Sequence, residues 1–291
     1  MYKLVTVDLD GTLLNSYGDV TEYTKQVINK VQNKGVEIMI ASGRPIDSIK
    51  TIAEEINSTK YFIAGNGAII YDIKNDKIIY EKYIPRSKVL EIAKVCEENN
   101  ISYNIYTEES IITQDLKYNV LYYYKENLKK DANKITTIIK VDNILEYVKK
   151  EENLKCLKIT VCDENQTIFR SIIRRLRAIE NIDVMDVSHM SRKVFKHGTE
   201  DITIEYFYTE ISSTQVNKWQ AIKYLLPILE ISPEEVIGIG DNINDKQMIE
   251  NAGLGVCMGQ STPVIKEISD KITDSNIDDG VGKVLDEIFL S

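Results

Sequence analysis

The chain has 291 residues, 43% hydrophobic and 28% charged, a composition typical of a globular protein large enough for two domains. Its formal net charge of −9 argues against a nucleic-acid or anionic-membrane surface, which would need a basic patch, and no apolar run reaches the roughly 18 residues that span a bilayer. The N-terminal segment does not look like a signal peptide and the four cysteines are scattered, so we expect a cytoplasmic protein with reduced thiols.

The first 80 residues alternate between strand and helix patterns. Short apolar runs predict three strands, at 3–7, 36–41 and 61–64. Thr21 is placed to cap a helix between the first two, with Val27, Ile28 and Val31 on one face and Gly35 at its end. Pro45 begins a helix before the third strand. A hairpin is expected over 69–80. This order predicts a parallel sheet with right-handed crossovers, in which ligands bind at the carboxyl ends of the strands.

The middle of the chain has a different pattern. Strands are predicted at 101–106, 110–113, 156–162 and 201–208, and helices at 87–98, 141–150 and 166–179. The last part returns to the first pattern, with helices at 220–229 and from 246, and strands at 236–239 and 254–258. We therefore expect an α/β core formed by 1–83 and 212–291, with an α+β domain inserted at 84–211.

Asp8 and Asp10 are the first candidates for chemistry, because they follow the first predicted strand. Side chains two residues apart at a strand end point the same way, and two adjacent carboxylates repel unless a cation lies near them. Magnesium, which prefers oxygen ligands, would meet this need. One carboxylate could then attack phosphorus while the other transfers protons. A plain turn or a calcium loop is the alternative, although Gly11 directly after Asp10 does not fit the calcium-loop spacing.

Ser42, Gly43 and Lys218 are candidates for binding a phosphate. Ser42 and Gly43 precede the second predicted helix, where a hydroxyl and free N–H groups bind phosphate oxygens, although Ser42 could be an ordinary helix cap. Lys218 lies just before the helix that leads to the late acidic strand, and the alternative for it is an exposed surface charge.

The segment after the strand at 236–239 is the last candidate. Asp241 could complete a metal site, Asn244 could donate to phosphate, and Asp245 could orient Lys218 or a metal-bound water. A polar turn that caps the next helix is the alternative. Together the candidates supply what phosphoryl transfer requires, namely a nucleophile, an acid/base, metal ligands and a cation.

On these motifs the sequence resembles the haloacid dehalogenase superfamily, and within it the Cof-type sugar phosphatases, which have a type 2 cap. The matching segments are VDLDGTLL at 7–14, IASGRP at 40–45, IAGNGAIIYD at 63–72, EISSTQVNKWQAI at 210–222 and IGIGDNINDKQMI at 237–249. The resemblance implies a Rossmann-like core, a parallel sheet flanked by helices, and an α+β cap at 84–211 that selects the substrate.

The resemblance also implies a role for each matching residue. Asp8 is expected to be the nucleophile and Asp10 the acid/base. Mg²⁺ would be held by the Asp8 carboxylate, the backbone carbonyl of Asp10 and Asp241. The remaining residues are expected to contact the phosphate: the Leu9 backbone, Ser42, Gly43, Lys218 and Asn244.

The chain departs from the family pattern at three places. Trp219 replaces the usual glycine after the motif lysine, and could pack at the cap hinge, narrow the entrance or fill a surface groove. Gln260-Ser261 replaces Asn-Ala, and residues 188–209 have no recognisable match. For substrate contacts in the cap, the candidates are Tyr122, Tyr123, Tyr124, His189, Arg192 and His197, each of which could instead be structural.

The implied activity is magnesium-dependent hydrolysis of a small phosphorylated metabolite. Sugar phosphates are the first candidates, and flavin mononucleotide or pyridoxal phosphate remain open. A phosphomutase of the same superfamily and a non-catalytic phosphate-sensing protein are the alternative functions. We expect the metabolite as partner, with no nucleic acid and no membrane, and a monomer or small homo-oligomer.

Overall fold

The computed structural model describes residues 1–128, 135–185, 191–197 and 200–291. Its strands, in chain order, are β1 (Leu4–Val7), β2 (Glu37–Ile40), β3 (Tyr61–Ala64), β4 (Ile69–Asp72), β5 (Lys77–Glu81), β6 (Ser102–Tyr106), β7 (Ser110–Thr113), β8 (Thr137–Lys140), β9 (Lys158–Asp163), β10 (Ile182–Val184), β11 (Ser191–His197), β12 (Glu200–Ser213), β13 (Val236–Gly240), β14 (Leu254–Cys257) and β15 (Lys271–Ile272). Its α-helices are α1 (Glu22–Asn33), α2 (Ile46–Glu55), α3 (Arg86–Glu98), α4 (Tyr118–Asn127), α5 (Ile144–Lys150), α6 (Gln166–Leu176), α7 (Lys218–Leu229), α8 (Lys246–Asn251), α9 (Pro263–Ile268) and α10 (Gly280–Phe289).

The chain divides into two compact units. Unit 1 comprises Met1–Glu81 and Val216–Ser291, and unit 2 comprises Lys82–Gln215. The predicted core ended at residue 83 and resumed at 212, so the observed divisions lie a few residues from the predicted ones. Each unit has its own cluster of buried apolar side chains.

Unit 1 contains a five-stranded parallel sheet in the order β15-β14-β13-β1-β2. All four residues of β1 and all five of β13 are buried, as expected for parallel strands covered on both faces. The side chain of Thr21 caps α1, whose buried face includes Val27, Ile28 and Val31, as predicted. The carboxyl ends of β1 and β13 therefore lie side by side, and each is followed by an acidic residue.

The strand predicted at 61–64 meets the expectation only in part. A parallel bridge between Ala41 and Ile63 places it beside the end of β2, as expected. Its regular pairing, however, is antiparallel with β4 in a separate sheet, β3-β4-β5. The cause is the turn at Gly65–Gly67, which reverses the chain directly after β3 and supplies β4 as its partner. The turn thereby lies beside Ser42.

Unit 2 is an α+β unit, as predicted. Its seven-stranded sheet has the order β10-β12-β9-β6-β7-β8, with β11 paired to β12. One face is apolar and packs with helices α3, α5 and α6 around residues such as Ile105, Ile159 and Phe169. In this unit the sequence pattern does not predict α4, β8, β10 and β11. Helix α4 is rich in tyrosine and asparagine, which have low helix propensity, so its pattern is weak.

The candidate cap contacts have mixed outcomes. His189 lies outside the described residues, and Arg192 and His197 belong to strand β11. The ring of Tyr123 packs edge-on against Tyr106, with centroids 6.1 Å apart, beside a small buried cluster. That packing favours a structural role for Tyr123.

The cysteines can be compared with the expectation of reduced thiols, and the helices with the length needed to span a bilayer. All four cysteines are free and buried, in agreement with the sequence analysis, and burial raises the pKa of Cys96, Cys156 and Cys162. Across the described residues, no helix combines the length and apolar character needed to cross a membrane.

Candidate active site

The loop after β1 brings Asp8 to the carboxyl edge of the parallel sheet. The Asp8 N–H continues the ladder to the carbonyl of Ile239 (3.0 Å), and the N–H groups of Thr12 and Leu14 both donate to the Leu9 carbonyl. Gly11 turns the chain with φ of +85°, and a Cβ there would lie 2.6 Å from a carboxylate oxygen of Asp241. Glycine is therefore needed both for the turn and for the close approach of Asp241.

Lys218 is the centre of a buried ion cluster. Its side chain is fully buried, and Nζ donates to Oδ1 of Asp8 and, over 2.5 Å, to Oδ1 of Asp245. The interpretation of Lys218 as an exposed charge is therefore wrong. Lys218 is the first residue of α7, and Asn217 caps this helix. The start of the helix therefore directs Nζ of Lys218 toward the carboxyl ends of β1 and β13.

Burial sets the electrostatics of this cluster. Burial raises the pKa of Asp8 to about 7, while the charge of Lys218 opposes the rise. Burial also raises the pKa of Asp241 well above its usual range, with Asp245 and Asp8 adding to the effect. Burial by itself disfavours the Lys218 ammonium, but Asp245 and Asp8 outweigh it and raise its pKa. If Asp8, Asp241 and Asp245 were all ionised, their negative charge would exceed the single positive charge of Lys218, and this repulsion adds to the rise in the pKa of Asp8 and Asp241.

The carboxylates of Asp8, Asp241 and Asp245 could hold a metal ion. Each offers one oxygen, and these oxygens lie within 4.8 Å of one another. The hydroxyl of Thr12 donates to Oδ1 of Asp241 (3.2 Å) and orients it. An all-oxygen donor set with excess negative charge fits a hard divalent cation such as Mg²⁺. Asp8 and Asp241 were predicted ligands, whereas Asp245 was assigned only an orienting role. The backbone carbonyl of Asp10 stays a predicted ligand.

Asp10 makes a contact that the sequence does not predict. Its charge contributes to the raised pKa of Asp8, in keeping with the expected proximity of the two carboxylates. In addition, Arg44 donates from Nε to Oδ2 (2.8 Å) and from Nη2 to Oδ1 (2.6 Å) of Asp10. The Arg44 side chain is 7% exposed and also donates to Ser48, whereas the Asp10 side chain is 55% exposed. Arg44 was not a predicted site residue, although it lies in the IASGRP segment.

The predicted phosphate-binding residues lie around the same edge. Ser42 is buried, and its Oγ accepts the N–H of Arg44 (3.2 Å). Pro45, not Ser42, occupies the cap position of α2, so the alternative role of Ser42 as a helix cap is wrong. The amide of Asn244 donates to Oδ1 of Asn66 (3.2 Å). The contacts of Leu9, Ser42, Gly43, Lys218 and Asn244 with phosphate stay predictions.

Two of the departures from the family pattern, Trp219 and Gln260, have structural explanations. Trp219 is 6% exposed and packs in the core cluster of unit 1 with Met39 and Ile222, so it fills the interior there. Gln260 donates from Nε2 to the Gly11 carbonyl (2.5 Å) and accepts the N–H of Asn276 (3.3 Å). It thereby ties the loop after Asp8 to a second loop.

The sequence and the fold of this chain resemble those of known proteins. A family model described as haloacid dehalogenase-like hydrolase matches residues 5–285. Phosphatase YwpJ of Bacillus subtilis is 27% identical over 297 residues, covering 99% of this chain and all of the relative. The 5-amino-6-(5-phospho-D-ribitylamino)uracil phosphatase YcsE of the same organism is 25% identical over 283 residues, covering 97% and 94%. A haloacid dehalogenase-like hydrolase from Bacteroides thetaiotaomicron has a similar crystal structure, with a TM-score of 0.76, 26% identity and coverage of 99% and 100%.

Proposed function

Since this chain belongs to the haloacid dehalogenase-like hydrolase family, we propose that it is a magnesium-dependent phosphatase in which Asp8 is the nucleophile. The observation that supports this most is the buried contact of Asp8 with Lys218, beside Asp241 and Asp245. A single buried ammonium among three carboxylates is expensive to desolvate and needs a functional reason. Binding a phosphoryl group together with a divalent cation supplies that reason.

The residues divide the reaction between them. An oxygen of Asp8 attacks phosphorus, and the bond from phosphorus to the leaving alkoxide breaks, giving an aspartyl phosphate. Asp10, in its protonated form and with one of its hydrogen bonds from Arg44 released, donates that proton to the alkoxide. It then takes a proton from water as the water oxygen attacks phosphorus, and the bond to Asp8 breaks to release phosphate. Lys218 compensates charge throughout, and the hydroxyl of Ser42 and the amide of Asn244 orient the phosphoryl oxygens.

Asp8 and Asp241 would hold magnesium with the carbonyl of Asp10, and Asp245 is close enough to contribute. Bound magnesium would neutralise part of the negative charge on the phosphoryl group. Such a cation would supply the local positive charge that a chain with a net charge of −9 needs to attract an anionic substrate.

The substrate is proposed to be a small phosphorylated metabolite. Sugar phosphates are the first class to test, following the resemblance to Cof-type sugar phosphatases. One relative is named for 5-amino-6-(5-phospho-D-ribitylamino)uracil, a phosphorylated sugar-alcohol chain on a pyrimidine, so esters of that kind are the second class. We assign substrate selection to unit 2, because the residues named above in unit 1 account only for the phosphoryl group and the metal.

Phosphate release across a panel of metabolites tests the proposal. We expect hydrolysis of some sugar phosphate or phosphoribityl compound with Mg²⁺, and loss of that activity with a chelator, because the carboxylates would then lack their cation. Free phosphate should accumulate in step with the alcohol. No release from any ester with Mg²⁺ would contradict the proposed function, and isomerisation without net phosphate would indicate a mutase.

Replacement of Arg44 by lysine tests whether the two hydrogen bonds from Arg44 orient the Asp10 carboxyl group for proton transfer. Lysine keeps the charge but cannot make two parallel hydrogen bonds to one carboxylate, so Asp10 should lose its orientation. We expect kcat/KM for an alkyl phosphate to fall by about tenfold or more, because alkoxide departure requires the proton. Nitrophenyl phosphate, whose leaving group departs without a proton, should be much less affected.

Two comparisons make the Arg44 measurement decisive. Asp10→Asn should change the ratio of alkyl to nitrophenyl activity in the same direction and further. Lys223→Arg, at an exposed position of α7, should leave the ratio unchanged. An equal loss on both substrates in Arg44→Lys would mean that Arg44 does not act through Asp10.

A further inference from the structure

The turn Gly65-Asn66-Gly67 contacts three elements of the proposed phosphate site. Asn66, the second residue after β3, adopts a left-handed conformation, with φ of 57° and ψ of 30°. Its N–H donates to the Ser42 carbonyl (2.9 Å), and the N–H of Gly65 donates to the Arg44 carbonyl (3.1 Å). Backbone hydrogen bonds therefore attach this turn to the loop that carries Ser42.

The side chain of Asn66 continues these contacts. Its Oδ1 accepts the amide N–H of Asn244 over 3.2 Å, which directs that amide. The same side chain lies against Gly43, where a Cβ would be 2.8 Å from Oδ1 and 3.0 Å from Nδ2 of Asn66. A side chain at position 43 would therefore displace the Asn66 amide from its present place.

Gly67 brings the turn against the start of α7. With φ of +106°, it lies so close that a Cβ would be 2.2 Å from the Asn217 carbonyl oxygen and 3.1 Å from the Lys218 nitrogen. The turn is therefore packed between the loop of Ser42 and Gly43, the first residue of α7 and the side chain of Asn244. These are the groups assigned above to the phosphate.

We propose that Asn66 is a positioning residue that holds Asn244 and the Ser42–Gly43 loop in the geometry that binds the phosphoryl group. This inference rests on the proposed function. None of the mechanistic steps uses Asn66, and its amide is engaged with Asn244 and Gly43, so it acts through these neighbours. Small displacements of the Asn244 amide or of the Ser42–Gly43 loop should lower kcat/KM strongly, because these groups must lie within hydrogen-bond distance of the phosphoryl oxygens.

Asn66→Gly is the informative substitution. Glycine adopts the left-handed conformation without strain, so the change removes the side chain and leaves the turn possible. We expect inorganic phosphate to bind about tenfold more weakly in the presence of Mg²⁺, by calorimetry and by competitive inhibition, and kcat/KM to fall by a similar factor. Asn57→Gly is the matched control, since Asn57 is also left-handed (φ 53°) and lies exposed after α2.

A double-mutant cycle with Asn244→Ala separates positioning from a general effect on stability. If Asn66 acts partly through Asn244, the Asn66→Gly loss should be clearly smaller in the Asn244→Ala background than in the wild type. Multiplicative losses, or phosphate affinity and kcat/KM equal to those of Asn57→Gly, would overturn the inference.

The outcomes also separate this inference from the proposed function. A wild-type protein that hydrolyses no ester but binds phosphate, with weaker binding in Asn66→Gly, would refute the phosphatase and support the positioning role. Wild-type activity with an unaffected Asn66→Gly variant would do the reverse. Failure of the wild type to bind phosphate at all would overturn both.

Discussion

Asp8→Asn is expected to abolish phosphate release while the protein stays folded. The amide cannot attack phosphorus to form an aspartyl phosphate, and it is a poorer metal ligand than the carboxylate. Loss of a nucleophile that works as part of a group costs on the order of 10⁴-fold or more in kcat. Phosphate release with Mg²⁺ on the best ester of the panel measures this directly, and trapping with radiolabelled substrate should give labelled wild-type protein only.

The fold should survive this change because of the charge balance around Asp8. Asp8 is a buried carboxylate whose pKa burial raises to about 7, and Lys218 keeps Asp245 as a partner when Asp8 is neutral. We expect a change in unfolding free energy of no more than about 1 kcal/mol, measured without metal. Asp19→Asn, at an exposed carboxylate of the same N-terminal segment, is the control. Turnover near wild type in Asp8→Asn would contradict the assignment of the nucleophile.

Lys218→Met is expected to damage both activity and stability. Methionine fills similar space but leaves Asp8 and Asp245 buried without their shared ammonium. Removing one partner of a buried ion pair typically costs about 3–5 kcal/mol, and loss of a charge that faces the transition state typically lowers kcat about 10²–10³-fold. Denaturant unfolding and phosphate release measure the two effects.

A metal titration gives the Lys218 prediction a second readout. Mg²⁺ should recover part of the lost stability, because a divalent cation compensates the same carboxylates. Lys223→Met on the exposed side of the same helix should change neither stability nor activity appreciably. Wild-type activity in Lys218→Met would mean that the buried ammonium plays no part in the reaction.

Much of the fold could be predicted because its signals are local. The buried strands β1 and β13 are continuous apolar runs, and α1 has an N-cap threonine, an apolar face and a terminating glycine in the expected places. The pairing of β3 could not be predicted this way. An apolar run of four residues is the same for a parallel or an antiparallel partner, and the choice depends on where the next turn sends the chain. Helix α4 was missed because it is stabilised by packing of Val120 and Tyr123 more than by propensity.

The candidate site shows the same division between local and long-range information. Asp8, Asp241 and Lys218 were found from acid-tipped strands and family motifs, and the structure brings them together although they are far apart in the chain. The interpretation of Asp10 was incomplete, because Arg44 lies 34 residues away and only the fold places its guanidinium on that carboxylate. Asn66 appeared in a matching motif, but nothing in the motif indicated that its amide meets Asn244.

By itself, then, the sequence determined the order of strands and helices in the first 80 residues, the two-part organisation and the types of group that do the chemistry, because strand ends, caps and motif residues are read from neighbouring positions. The tertiary structure decided which charge compensates which. It paired Lys218 with Asp8 and Asp245, assigned Arg44 to Asp10 and packed the turn at Asn66 against the phosphate-binding loop. The reason is physical: desolvation and hydrogen bonding between distant residues depend on distances that exist only once the parallel sheet has formed.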